Sequence, residues 1–328
     1  MLVDTFGRQI TYLRISVTDR CNYRCVYCMP AEGVPLSKHN DILRYEEIAQ
    51  IVQAAAKMGV RAVRLTGGEP LVRLDLPVLV RMIREIPEIV DISITTNGLL
   101  LDRMAQPLAE AGLNRVNISM DTLDPDKFAR ITRGGSLERI WKGVEACEAA
   151  GLKPIKFNTV AMRGVNDDEI VKIASLSLTH AWDMRFIELM PVKNQESWGS
   201  EFPAPEQAYM SVQEIRNLFD GMGLEEIEEK IGSGPAREYR LPGAMGSVGF
   251  ISPIGEHFCE TCNRLRLTSD GNLRPCLLTD REVPLIEAVR SGKPLESLLR
   301  QAAQIKPQGH ELSLDHAPNG RCMRQIGG

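Results

Sequence analysis

Residues 12–28 read Tyr12-Leu13-Arg14-Ile15-Ser16-Val17-Thr18-Asp19-Arg20-Cys21-Asn22-Tyr23-Arg24-Cys25-Val26-Tyr27-Cys28. The first half alternates. Leu13, Ile15 and Val17 fall on one side of an extended chain, and Tyr12, Arg14 and Ser16 on the other. A strand is therefore expected over residues 10–17, and it runs directly into a C-x3-C-x2-C triplet. Eight cysteines among 328 residues fall far short of a disulfide scaffold, which takes about 8–10% cysteine. Closely spaced thiols suggest metal ligation or catalysis instead. Structural zinc takes four protein ligands, and a [4Fe–4S] cluster takes four thiolates. Cys21, Cys25 and Cys28, with no histidine or fourth cysteine nearby, leave one vertex of a metal centre open, and an open vertex is where chemistry happens.

The same strand pattern recurs outward along the chain. Strands are expected over residues 62–66, 92–96, 115–120, 154–160 and 184–189, separated by helical stretches. In the first of these, Ile48, Ile51, Val52, Ala55 and Met58 recur at helical spacing and Gly59 supplies a stop. Gly112 and Gly151 end two later helices in the same way. Six βα units in this order predict a parallel barrel or a large part of one. Within the strands, Val63 and Leu65 oppose Arg64 and Thr66, and Ile92 and Ile94 oppose Ser93, Thr95 and Asn97. Val116, Ile118 and Met120 oppose Asn117, Ser119 and Asp121, while Ile155 and Phe157 oppose Lys156 and Asn158. A closed eight-stranded barrel fills its centre with branched apolar side chains. One polar, partly cationic face on five successive strands predicts an incomplete, wider barrel whose lumen holds a polar, anionic ligand.

After Met190 the pattern changes. Residues 191–205 are Pro-rich and aperiodic and read as a linker or lid, residues 211–220 as a short helix, and acidic residues 225–229 as a solvated face. Short strands are expected at 236–241, 247–251 and 265–268, around a second triplet, Cys259, Cys262 and Cys276, spaced C-x2-C-x13-C. Helices near 284–290 and 294–305 lead to a tail ending Gly327-Gly328. From spacing alone, zinc completed by a histidine such as His257 is as good a reading of the second triplet as an open iron site. Cys147 reads as a small core residue, and Cys322 is given no role. The division is a barrel over residues 1–190 and a linker with a cluster-binding region over 191–328. A net charge of −4 argues against a nucleic-acid surface, which shows a basic excess. No apolar run approaches the roughly 18 residues of a membrane span. The N-terminus lacks the apolar region of a secretory signal, so a cytoplasmic protein is expected.

The C-x3-C-x2-C triplet with Tyr27 before its third cysteine, and Thr66-Gly67-Gly68-Glu69-Pro70 after the second strand, resemble the radical S-adenosylmethionine superfamily. There three thiolates hold a [4Fe–4S] cluster, and S-adenosylmethionine chelates the fourth iron through its amine and carboxylate. Further elements narrow the resemblance. They are residues 12–22, Gly234-Pro235-Ala236, Gly249-Phe250-Ile251-Ser252-Pro253, the run from Phe258 to Thr268, Asp270-Gly271, Leu273-Arg274-Pro275-Cys276-Leu277 and the terminal Gly327-Gly328. Together they resemble the GTP 3′,8-cyclase family, which performs the first committed step of molybdenum-cofactor biosynthesis, over nearly the whole chain.

That resemblance implies an incomplete (β/α)6 barrel with a smaller α+β extension, and two [4Fe–4S] clusters at opposite ends of one cavity. Cys21, Cys25 and Cys28 would hold the first, and Cys259, Cys262 and Cys276 the second. Tyr27, Gly68, Ser119 and Met190 match the S-adenosylmethionine positions. Arg14, Arg64, Thr95, Lys156, Arg264, Leu265 and Arg266 match the GTP contacts, with Arg185 a further candidate for phosphate or cofactor. The second cluster would take the guanine ring at its free iron. A 5′-deoxyadenosyl radical would abstract hydrogen from ribose C3′, and the C3′ radical would attack guanine C8, giving (8S)-3′,8-cyclo-7,8-dihydroguanosine 5′-triphosphate. The Gly327-Gly328 tail would reach the site and support turnover. The resemblance also implies a homodimer, a flavodoxin-type electron donor and pyranopterin monophosphate synthase as the next enzyme. Two other readings compete: a radical enzyme that modifies a peptide or another small molecule, and a zinc-stabilised nucleic-acid module. Arg264-Leu265-Arg266 favours GTP over the first, and the acidic balance disfavours the second.

Overall fold

The computed structural model describes residues 1–190, 198–228, 234–310, 321 and 323–326. Among them twelve strands form one sheet: β1 (Tyr12–Ser16), β2 (Ala62–Thr66), β3 (Asp91–Thr96), β4 (Arg115–Ser119), β5 (Lys156–Ala161), β6 (Asp183–Glu188), β7 (Glu225–Ile227), β8 (Arg237–Arg240), β9 (Ser247–Ile251), β10 (Arg264–Leu267), β11 (Asn272–Arg274) and β12 (Val283–Pro284). The spatial order is β12-β11-β10-β1-β2-β3-β4-β5-β6-β9-β8-β7. The six expected strands β1–β6 lie side by side in chain order, all parallel. The extension adds β10 parallel to β1 at one edge and β9 parallel to β6 at the other. No pairing joins β9 to β10 among the described residues, so the barrel stays open.

The alternation read from sequence sorts the two faces. Leu13, Ile15, Val63, Leu65, Ile92, Ile94, Val116 and Ile118 are buried in the main apolar core. The core's outer layer comes from α1 (Tyr45–Lys57), α2 (Leu76–Arg84), α3 (Leu101–Glu110), α4 (Pro125–Thr132) and α5 (Leu137–Ala149). Gly59 adopts φ +111° directly after α1, a conformation that carries little steric cost only for glycine. On α5, Gly143 lets α3 approach, since a Cβ there would stand 2.8 Å from the Leu101 Cβ. Cys147 is fully buried in this core, as expected.

Three expectations change. Residues 225–229 are expected to be a solvated acidic face. Glu225 and Glu226 are exposed, but they open the edge strand β7, paired antiparallel with β8. The helix expected at 284–290 begins at Ile286, because Val283 and Pro284 first pair with Leu273 and Asn272. The linker expected at 191–205 lies partly outside the described residues and ends in the short helix Pro205–Ala208. No helix among the described residues is long and apolar enough to cross a membrane.

Candidate active site

The chain leaving β1 carries Cys21, Cys25 and Cys28 to one cavity of about 300 Å³. Arg24 and Val26 donate their amides to Thr132 O (3.1 Å) and Ile131 O (2.9 Å), and Cys28 donates to Cys25 O (2.9 Å). The Arg133 guanidinium braces the middle and the end of the loop, donating to Arg24 O (3.1 Å) and Met29 O (2.9 Å). The Gly-Gly-Glu-Pro turn after β2 is stitched to the same loop, Gly68 N to Thr18 O (2.8 Å) and Glu69 N to Arg20 O (2.7 Å). A Cβ on Gly67 would lie 2.4 Å from Thr18 O, and one on Gly68 2.3 Å from Arg20 O. The close approach that these glycines permit is therefore first of all to the chain's own backbone. Glu69 closes the arrangement. Its buried carboxylate accepts from Leu71 N (3.0 Å), Thr96 Oγ1 (2.7 Å) and Asn97 N (2.7 Å), and burial lifts its carboxyl to about 7. Tyr27 donates its hydroxyl to Asp121 Oδ2 at 2.8 Å.

The thiols themselves say what they are built for. Burial raises Cys21, and burial followed by the neighbouring Cys28, Asp121 and Cys21 pushes Cys25 well above an ordinary thiol. Buried thiols like these two ionise readily only beside a strong positive charge, which a metal centre supplies. The donor set fits a three-thiolate cluster site.

Cys259, Cys262 and Cys276 line the same cavity. Topology puts them at its other end. Cys262 precedes β10, which runs parallel to β1, and Cys276 follows β11, which runs antiparallel to β10. This trio thus sits at the N-terminal end of the parallel strands, whereas Cys21, Cys25 and Cys28 follow the C-terminal end of β1. The length of one strand separates them, roughly 15 Å at about 3.3 Å per residue. Burial alone would raise Cys262, but Arg264 and Lys306 carry it down to about 7. Arg8, ion-paired with Asp4, donates to Cys259 O (2.6 Å) and Pro307 O (2.6 Å) and pins this loop from the N-terminus. The ligand atoms of His257, Cys259 and His310 also lie within 4.8 Å of one another.

Between the two trios the inner faces are cationic. Arg14 stands in register with Arg266 on one side and Arg64 on the other. Burial and then Arg266 pull Arg14 well below its usual value, while burial and then Arg264 bring Arg266 to about 10. Arg64 lies over the Tyr12 ring and donates to Ser93 Oγ (3.2 Å), and Arg264 lies over Phe258. Among the described residues, no carboxylate comes within ion-pair distance of Arg64 or Arg264. The buried Tyr12 hydroxyl, Thr95 Oγ1 and Arg264 Nε find no hydrogen-bond partner there. Buried polar atoms left this way are expensive, and a polyanionic ligand with hydroxyls would satisfy them.

Arg14, Arg64, Thr95, Arg264 and Arg266, together with Tyr27, Gly68, Ser119 and Met190, line this one cavity with both trios. Two of the sequence candidates stand apart from it. Lys156 faces inward but is buried in an ion pair with Asp183, its direct cross-strand neighbour on β6. Leu265 lies on the outer face in the core, so only its backbone can contribute. Arg185 reaches the cavity with its charge already matched by Glu238 at 2.5 Å. Gly327 and Gly328 lie outside the described residues, although Met323, a few residues earlier, lines the cavity. Sequence reasoning missed Tyr12, Asn97 and Asn158 as lining residues, yet all three occupy the polar phase already read from their strands. Phe258 and His310, which also line the cavity, carried no such signal.

An open parallel barrel with a three-cysteine loop off its first strand and a Gly-Gly-Glu-Pro turn off its second is the fold of a radical S-adenosylmethionine enzyme. The Radical SAM superfamily matches residues 15–177, and Molybdenum Cofactor Synthesis C matches residues 182–312. GTP 3′,8-cyclase of Pelotomaculum thermopropionicum is 49% identical over 330 residues, covering 99% of each chain. That of Moorella thermoacetica is 49% identical over 333 residues, again covering 99% of each. The chain belongs to the GTP 3′,8-cyclase family. The fold is also that of Streptococcus suis SuiB bound to S-adenosylmethionine, with TM-score 0.62, 15% identity, and coverage of 89% of this chain and 68% of that one.

Proposed function

We infer that this chain cyclises GTP to (8S)-3′,8-cyclo-7,8-dihydroguanosine 5′-triphosphate, the first step of molybdopterin biosynthesis. The observation that carries the reading is that both cysteine trios and a set of buried arginines line one cavity. Cys21, Cys25 and Cys28 would hold one [4Fe–4S] cluster, and Cys259, Cys262 and Cys276 a second. When bound, the first cluster with S-adenosylmethionine supplies the radical chemistry that opens the ribose C3′–H bond. The chain's own residues bind and orient. Tyr27, Gly68, Ser119 and Met190 border the S-adenosylmethionine end. Arg14, Arg64, Arg264 and Arg266 offer the triphosphate planar donors in a buried setting, where charge-assisted hydrogen bonds are strongest. Tyr12 and Thr95 offer hydroxyls, and Lys156 acts from beneath the wall, through its pair with Asp183. The Gly327-Gly328 tail supports turnover. The barrel is residues 1–190 and the cluster-binding region 191–328. The enzyme works in the cytoplasm as a homodimer, takes electrons from a reduced flavodoxin-type protein, and hands its product to pyranopterin monophosphate synthase.

Anaerobically purified protein is expected to be brown, with about eight irons per chain. With GTP, S-adenosylmethionine and a strong reductant it should yield 5′-deoxyadenosine and a product of the same mass as GTP. Absence of that isomer from protein loaded with iron would end the reading. The His257, Cys259 and His310 grouping favours a second reading, a zinc site at the C-terminal triplet. Under it the protein would carry about four irons and one zinc. Arg264→Ala should raise the Kd for GTP about 10- to 100-fold, in line with the roughly 1.5–3 kcal/mol of a hydrogen bond to a charged group. Calorimetry with GTP measures it, and an unchanged Kd removes Arg264 from the substrate contacts.

A further inference from the structure

Lys306 follows the helix Glu296–Gln304 and is buried, with 3% of its surface exposed. Its ammonium has three donors, and all three are used. They go to Cys262 Sγ at 3.3 Å, Arg264 O at 2.9 Å and Pro275 O at 2.7 Å. The two carbonyls belong to the segments that carry Cys262 and Cys276, so the side chain stands as a tripod between them. Among the described residues no carboxylate lies within ion-pair distance of Lys306. A buried cation without a counter-charge is costly, and the anionic group at hand is the Cys262 thiolate.

We propose that Lys306 is a positioning residue that sets the reduction potential of the C-terminal cluster, by donating an N–H···S hydrogen bond to the Cys262 sulfur and holding a full positive charge beside it. The proposal rests on the reading that Cys259, Cys262 and Cys276 hold an iron–sulfur cluster. Hydrogen bonds to cluster sulfurs and nearby charge are among the factors that fix such potentials. A positive donor stabilises the more negative, reduced state, so Lys306 raises the potential. This goes beyond holding the loop: an apolar side chain of the same length could fill the space, but with neither donor nor charge it would not shift a redox equilibrium in this direction.

The test uses the full chain with Cys21, Cys25 and Cys28 all replaced by alanine, so that only the C-terminal cluster remains. Iron content is measured first, and the reduced cluster is then followed by electron paramagnetic resonance during a potentiometric titration. With Lys306 present, about four irons are expected. If none are found, the cluster reading itself fails, and that is a different result from an unchanged potential. Lys306→Met is expected to keep the iron and shift the oxidised-to-reduced ratio at least tenfold at a fixed potential, about 59 mV more negative for one electron. Lys306→Gln, which keeps N–H donors without the charge, should fall between. Equal midpoints in all three proteins would overturn the proposal. If Lys306→Met alone loses iron, the Lys306→Gln midpoint decides in the same way. Iron lost from both would make Lys306 a structural staple, which also overturns it.

Discussion

Replacing Cys259 by serine is expected to abolish GTP cyclisation while S-adenosylmethionine is still cleaved to 5′-deoxyadenosine. The separation follows from topology. Cys259 belongs to the loop before β10, at the N-terminal end of the parallel strands, and the trio that follows β1 lies a strand's length away. The stitches that hold the Cys21–Cys28 loop come from Thr132, Ile131, Arg133 and the turn after β2, and among the described residues none of these is hydrogen-bonded to the second trio's loops. Disturbing even an outer-shell partner of a metal ligand costs about 10–100-fold, so removal of a ligand should lower product formation by at least about a hundredfold. Iron should fall from about eight to about four per chain. Both small molecules can be counted in one mass-spectrometric assay. Retained cyclisation at four irons would mean that the second trio is not part of the active site.

Gly68→Ala is expected to remove both activities. The added methyl would fall 2.3 Å from Arg20 O and 2.6 Å from Arg20 C, and these are backbone atoms that no rotamer change can clear. Relief requires the cysteine loop to move off the turn after β2, which breaks the 2.7 Å bond from Glu69 N to Arg20 O. A displacement of about 1 Å at reacting groups costs on the order of a hundredfold. S-adenosylmethionine cleavage should therefore drop by that factor or more, with iron lost from the first site and the C-terminal cluster retained. Normal cleavage by an alanine variant with full iron would show that the loop tolerates the shift, and the stitching account would be wrong.

Much of this architecture was legible from the residues. The period-two alternation in β1 to β5 gave both the outer apolar core and the inner cationic face, because each strand buries one side against helices and presents the other to a lumen. The short antiparallel strands β7, β11 and β12 escaped, since two or three residues carry no period and their pairing depends on a distant partner. The same limit affected Lys156. Its phase was correct, but the carboxylate that neutralises it lies 27 residues onward in Asp183, and only the β5–β6 register brings the two side by side. Lys306 was invisible for another reason: one lysine after a C-terminal helix has no local pattern, and its three acceptors come from segments some 30 to 44 residues earlier.

The pairing of β10 with β1 has a consequence for how the chain is made. A ribosome adding about 5–20 residues per second completes Ser16 roughly 12–50 s before Arg264, some 250 residues later, so β1 waits that long with one flank bare. A nascent sheet with an unclaimed edge invites pairing with other chains. Closure of that flank is thus a late event in synthesis, reached only when β10 has been translated.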